Sequence, residues 1–170
     1  MADVSWIPGY CIRPAQEADV ERTCEIARQA WQRIHDSFRK IMGADMHDGL
    51  CANWEANKAD QVRAHWRAFP EAFYVVESEA SGQVVAFLTF RVDPQKSLGT
   101  IGNNAVAPEG QGQGIGTAMY QFLLDRFREL GLRFATVSTG LDEGHAPARR
   151  AYEKAGFDIR QENVTYYQTL

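Results

Sequence analysis

Cysteine is scarce in this 170-residue chain: Cys11, Cys24 and Cys51 are an odd number with no CxxC spacing. That leaves neither a disulfide framework nor a patterned zinc site, and three reduced thiols in a reducing, cytoplasmic setting are expected. Long apolar runs are missing too. The most apolar stretch, Val84–Phe90, is far too short to cross a bilayer. The opening MADVSWIPGY carries Asp3 and no apolar segment, so it does not read as a signal peptide. Positive charge is thin: the formal net charge is −4, and Arg39-Lys40 and Arg149-Arg150 are the adjacent basic pairs. A nucleic acid, which is held by clustered Lys and Arg, is therefore not expected as a partner. Repeats, low-complexity tracts and linkers are absent. What remains is an ordinary globular composition, 45% apolar and 24% charged, of a length suited to one domain over residues 1–170.

Periodicity orders the elements. After a short strand at Tyr10–Arg13, Val20, Cys24, Ala27, Trp31, Ile34 and Phe38 recur at helical spacing. A second helix is expected from about Gly49 to Ala68, with KIMGADMHDGL as a polar connection before it. FYVVE and VVAFLTFRV, joined by Ser81-Gly82, read as an antiparallel hairpin. Further strands are expected at Gly99–Val106, Phe134–Thr139 (buried, from its apolar content) and Val164–Gln168. Helices are expected after Gly116, ending near Gly131, and from Pro147 to Gly156. The order β-α-α-β-β-β-α-β-α-β implies an α/β domain around a mixed, mostly antiparallel sheet of six to seven strands flanked by about four helices.

The strongest local signal is VAPEGQGQGIGTAMY, Val106–Tyr120, where glycines at 110, 112, 114 and 116 run directly into a helix. Glycine permits positive φ and lets a ligand approach the main chain. The first-turn N–H groups of a helix lack internal partners and lie at the positive end of its dipole, which suits a phosphate. No Lys follows in Walker register, and a GxGxxG frame fails from both Gly110 (Ile115) and Gly112 (Thr117).

The loop does fit Q/R-x-x-G-x-G/A as Gln111-Gly112-Gln113-Gly114-Ile115-Gly116, after Val106–Glu109 as V-x-P-E, with ARRAYEKAGF downstream at Ala148–Phe157. These motifs resemble those of the GNAT superfamily of acetyl-CoA-dependent N-acetyltransferases, and the likeness in element order covers nearly the whole chain. The resemblance implies acetyl-CoA as co-substrate, with no metal. Main-chain groups from Gln111 through Gly112, Gln113, Gly114, Ile115, Gly116 and Thr117 would hold the pyrophosphate. Asn104, Ala105 and Val106 would carry the pantetheine arm like an added strand. Tyr152 falls on the tyrosine that protonates the departing thiolate. Gln111 and Gln113 stand where basic residues are frequent in the family, so the loop relies on amides and dipole unless Arg149 or Arg150 reaches a phosphate. His145 stands where Asn is common, and its contact with the cofactor arm is left open.

At helical spacing, residues 145, 148 and 152 share a face, and the small Ala148 leaves room beside Tyr152 for a ligand. A thiolate leaving group with a pKa of about 8.5 and a phenol of about 10 make a proton transfer feasible. The strand before the loop offers only Asn103 and Asn104, so no carboxylate base is evident. Water, His145 or a residue of the early connection could take the acceptor's proton, and the Val106 N–H could meet the oxyanion. The resemblance implies that the first two helices and their connection wall the acceptor site, which puts Trp31, His35, Asp36 and Asp45 there, and a mixture of Trp and Asp would suit a primary amine. The histidines and aspartates there match no metal spacing. A small-molecule amine is the expected acceptor, with a protein or peptide amine, or a non-catalytic acyl-CoA-binding module, as alternatives. A homodimer is possible through Tyr166 and Tyr167.

Overall fold

The computed structural model describes residues 7–170; the reading of the first six residues lies outside them. Strands β1 (Tyr10–Pro14), β2 (Phe73–Ser78), β3 (Val84–Asp93), β4 (Leu98–Val106) and β5 (Phe134–Val137) form one sheet in that order. The first four pair antiparallel, and β4 pairs parallel with β5 across a helical crossover. Five helices surround the sheet: α1 (Val20–Met42), α2 (Ala44–Cys51), α3 (Trp54–Ala68), α4 (Ile115–Glu129) and α5 (Ala146–Ala155).

Alternation along the strands supplies two cores. Val75 and Phe87 face α1 and α3, packing with Cys24, Ala27, Ala59 and Val62. Val76, Leu88, Phe90 and Ile101 face α4, meeting Ile115, Met119, Leu123 and Phe127. With both faces covered, all seven residues of Val84–Phe90 are buried, which accounts for the apolar run in the sequence.

Three expectations need correction. The sheet has five strands among the described residues, rather than six to seven: Val164–Gln168 forms no strand, and residues 158–170 are exposed. An alternating pattern becomes a strand only where a ladder and a face to bury are available, and this segment meets neither. The strand after α4 is an edge rather than a buried strand, with Phe134 54% exposed. Finally, the second helix is two, because Gly43 ends α1 at φ +82° and the polar connection then coils into α2, with His47 buried. Among the described residues no helix is long and apolar enough to cross a membrane.

One irregularity positions the site. Leu88 pairs with Asn104 but Phe90 with Ile101, so Gly102 and Asn103 together oppose Thr89 in a β-bulge. Thr89 Oγ1 donates to the Asn103 carbonyl at 3.0 Å, and a Cβ on Gly102 would fall 2.6 Å from that oxygen. Past the bulge β5 no longer follows: it pairs only with Leu98–Ile101. The strands fork, and β4 keeps a free edge from Asn103 to Val106.

Candidate active site

The fork opens into a cleft of about 1010 Å³ bounded by α1, α3, β3, β4, the glycine loop and α5. At one end, Gly112 (φ +79°) and Gly114 (φ +81°) take left-handed conformations that an L side chain adopts only with strain. Gly110 is different: a Cβ there would crowd Val106 and Ile115 at 3.1 and 3.2 Å. Gly114 caps α4 without a side-chain hydrogen bond, so the first-turn amides of Ile115, Gly116 and Thr117 remain for a ligand. Gln111 lines the cleft and donates from Nε2 to the Val106 carbonyl at 3.2 Å. Gln113 turns away, accepting from the Tyr10 hydroxyl at 2.6 Å and donating to the Glu109 carbonyl.

The free edge of β4 leads from that loop into the cleft. Ala107 N–H donates to Val85 across the sheet, so by alternation the main-chain groups of Val106 and Asn104 point away from β3 and into the fork. Asn104 also ties two buried tyrosines together: its Oδ1 accepts from Tyr120 at 2.7 Å, and its Nδ2 lies 3.4 Å from the Tyr152 hydroxyl. The two rings are 4.6 Å apart. Burial, followed by the neighbouring Tyr152, pushes the Tyr120 phenol well up. Burial also raises Tyr152, against the hydrogen bonds from Asn104 and Tyr120 that oppose it. Both phenols are therefore protonated at neutral pH and able to donate. Tyr120 was not evident from the sequence, although its spacing of four from Gly116 puts it one turn into α4 on the cleft side.

His145 and Ala148 join Tyr152 in lining the cleft. Behind His145 stands Asp142, whose Oδ2 is 2.6 Å from Nδ1, while its Oδ1 is buried without a partner. Burial alone would raise the Asp142 carboxyl, but the hydrogen bond and charge of His145 overcome it and the net shift is downward. A carboxylate fixing one imidazole nitrogen leaves the other free to exchange a proton. Of the adjacent arginines, Arg149 braces the preceding loop through the Gly140 and Asp142 carbonyls, and Arg150 lines the cleft.

On the opposite face of the sheet the expected acceptor residues separate. Trp31 lines the cleft. His35 instead stacks on Trp54 with ring centroids 4.1 Å apart, Asp36 is exposed and bonded to Gln32, and Asp45 is exposed on α2. His35 Nδ1 and His47 Nε2 bond each other at 3.2 Å, and with Cys51 they bring three ligand-type atoms within 4.8 Å. In place of the aspartates stands Lys58, 7% exposed, over the Trp31 ring at 3.4 Å and donating to Asn103 Oδ1 at 2.6 Å. It has no carboxylate partner among the described residues, and burial pulls its pKa down to about 7. The indole face and Asn103 favour the ammonium form, so Lys58 carries charge over more of the neutral range than desolvation alone would allow. A lysine on a polar stretch of α3 has no sequence feature to mark it.

Free amides at the glycine loop, an open strand edge and a buried tyrosine thus lie along one cleft. Residues 26–157 match the acetyltransferase (GNAT) family model, and the chain belongs to that family. Among curated relatives, it is 34% identical over 118 residues to a mycothiol acetyltransferase of Tsukamurella paurometabola, covering 64% of this chain and 38% of the relative. A mycothiol acetyltransferase of Pseudarthrobacter chlorophenolicus is 29% identical over 115 residues, 65% of this chain and 34% of that one. The chain thus spans little more than a third of their length. In fold it is similar to the PaiA N-acetyltransferase of Thermoplasma acidophilum solved with coenzyme A (TM-score 0.70, 14% identity, 91% and 92% of the two chains). It is also similar to the glucosamine-6-phosphate N-acetyltransferase of Arabidopsis thaliana (TM-score 0.53, 16% identity, 93% and 97%).

Proposed function

We propose that this protein moves an acetyl group from acetyl-CoA to the primary amine of a small molecule by direct attack, with Tyr152 as general acid. The observation that carries this reading is the buried Tyr152 hydroxyl beside Asn104, inside the fork where β4 leaves β5. Bound acetyl-CoA supplies an activated acyl thioester. The amides of Gly112–Thr117 are suited to its pyrophosphate, and the outward main-chain groups of Asn104 and Val106, with Ala105 between them, to its pantetheine arm. The Val106 N–H lies on the same open edge and can stabilise the charge that develops on the carbonyl oxygen.

Two protons leave the acceptor nitrogen. His145, held by Asp142, takes the first and frees the amine; Tyr152 gives its own proton to the departing thiolate and regains the second from the nitrogen as the tetrahedral intermediate collapses. Tyr120 and Asn104 hold the donor and limit its approach to solvent. Asp142 acts through His145 and is a positioning residue. A thermal-shift titration with acetyl-CoA, coenzyme A, NADH and ATP tests the cofactor assignment. A dose-dependent rise with the first two alone is expected, followed by thiol release when amines are added. No shift at millimolar acetyl-CoA would sink the reading.

A further inference from the structure

The cleft is lined by Arg33, Arg91 and Arg150, and by His65 and His145, without a single Asp or Glu. None of the three arginines has a hydrogen bond or ion pair among the described residues. Phosphates held at the glycine loop account for cations at that end only. Arg91 pairs with Thr100, six residues from Val106, or roughly 20 Å along the strand. Its guanidinium rests over the Phe69 ring at 5.0 Å. Beside it on α3, His65 is 7% exposed and its Nε2 is buried with no partner. Burial, and to a lesser degree the charge of Arg91, pulls the His65 pKa down; the main chain of Ala72 and Glu71, which is outside the cleft lining, pull it up. Lys58, earlier on α3 and behind Asn103, is a fourth basic residue without a carboxylate partner among the described residues.

We propose that the acceptor amine carries an anionic group, a carboxylate or a phosphate, and that Arg91, resting on the Phe69 ring, forms the subsite that receives it. The inference rests on the acetyl-transfer reading for its amine but not for its anion. Arg91 offers planar paired donors to an oxyanion. An acceptor with only a positive charge meets repulsion from Arg33, Arg91 and Lys58 and no carboxylate to offset it. An acceptor with both charges is drawn in by its anion, and the same field disfavours its ammonium form, which delivers the neutral nucleophile that attack needs.

Matched amines test this: β-alanine against propylamine, and 2-aminoethylphosphonate against ethylamine, with acetyl-CoA saturating. Each anion-bearing member is expected to exceed its purely cationic counterpart by about tenfold or more in kcat/KM, chiefly through KM, and the larger of the two ratios names the anion. In Arg91→Gln both ratios fall towards one, and Arg91→Lys gives an intermediate value, while the thermal shift with acetyl-CoA reports that the fold and cofactor site persist. Ratios near one in the unaltered protein, or ratios unmoved by Arg91→Gln, overturn the proposal. If acetyl-CoA binds but no amine is consumed, the transfer reading fails and the subsite is read by binding. β-Alanine or 2-aminoethylphosphonate raising the Tm of the coenzyme A-loaded protein, but not of its Arg91→Gln form, supports it; equal or absent shifts overturn it.

Discussion

The two ends of the cleft are built from different materials. The end we assign to the cofactor is main chain: amides released by Gly112 and Gly114, the unused edge of β4, and the start of α4. The end we assign to the acceptor is side chain: Trp31 from α1, His65 from α3 and Arg91 from β3, with Lys58 of α3 over the Trp31 ring. Backbone recognition tolerates changes of side chain but not of φ and ψ, whereas the opposite end can be rewritten one residue at a time without disturbing the sheet. The contrast suits a fold that keeps one donor and varies its acceptor.

Substitutions can break or sharpen that contrast. The largest effect belongs where the two ends meet: Tyr152→Phe is expected to lower kcat about a hundredfold, with acetyl-CoA binding little altered. Calorimetric Kd and pre-steady-state thiol release separate the two quantities. Next, Gly114→Val forces a β-branched residue into a left-handed conformation. Acetyl-CoA affinity should fall about tenfold, and an unchanged Kd would show that the loop geometry is not what holds the cofactor. Asp142→Asn keeps the size of the side chain but removes the charge behind His145. A fall of about tenfold in kcat is expected, with acetyl-CoA affinity unchanged by calorimetry.

A smaller effect concerns stability. Burial lowers the folded Lys58 pKa to about 7 from an ordinary 10.5, so between those values the unfolded chain holds the proton that the folded one has lost. The cost of burial is therefore full below pH 7 and is relieved as the pH rises towards 10.5. Lys58→Met should raise the Tm relative to the parent more at pH 6 than at pH 9. Equal gains at the two pH values would mean that Trp31 and Asn103 compensate the charge completely. Smallest of all, Asp36→Asn and Asp45→Asn should leave the KM of every accepted amine unchanged, because neither side chain lines the cleft.

This division explains what could be read in the sequence. The glycine loop, the edge of β4 and Tyr152 lie within 49 consecutive residues from Asn104, where local pattern and spacing carry the information. Elements with strong periodicity were legible for the same reason, including α1, the β2–β3 hairpin and α4. The acceptor wall was not, since Lys58 meets Asn103 across 45 positions and Arg91 nears His65 only because β3 and α3 stack. Asp36 and Asp45 had suitable chemistry, but they sit on outward faces of α1 and α2. Val164–Gln168 shows the complementary failure, a strand pattern with no neighbouring edge to receive it.

The fork itself bears on how the protein breathes. Four residue pairs fasten β5 to the sheet, all on one side of it, and the connection back to β4 runs through the whole of α4. A short edge strand of this kind is a segment that can detach at little cost in buried surface. Amide hydrogens of Phe134–Val137 should exchange with solvent well before those of β3. Filling the fork with coenzyme A would knit the two arms together and slow that exchange, so the protein tightens its weakest seam only while it is loaded.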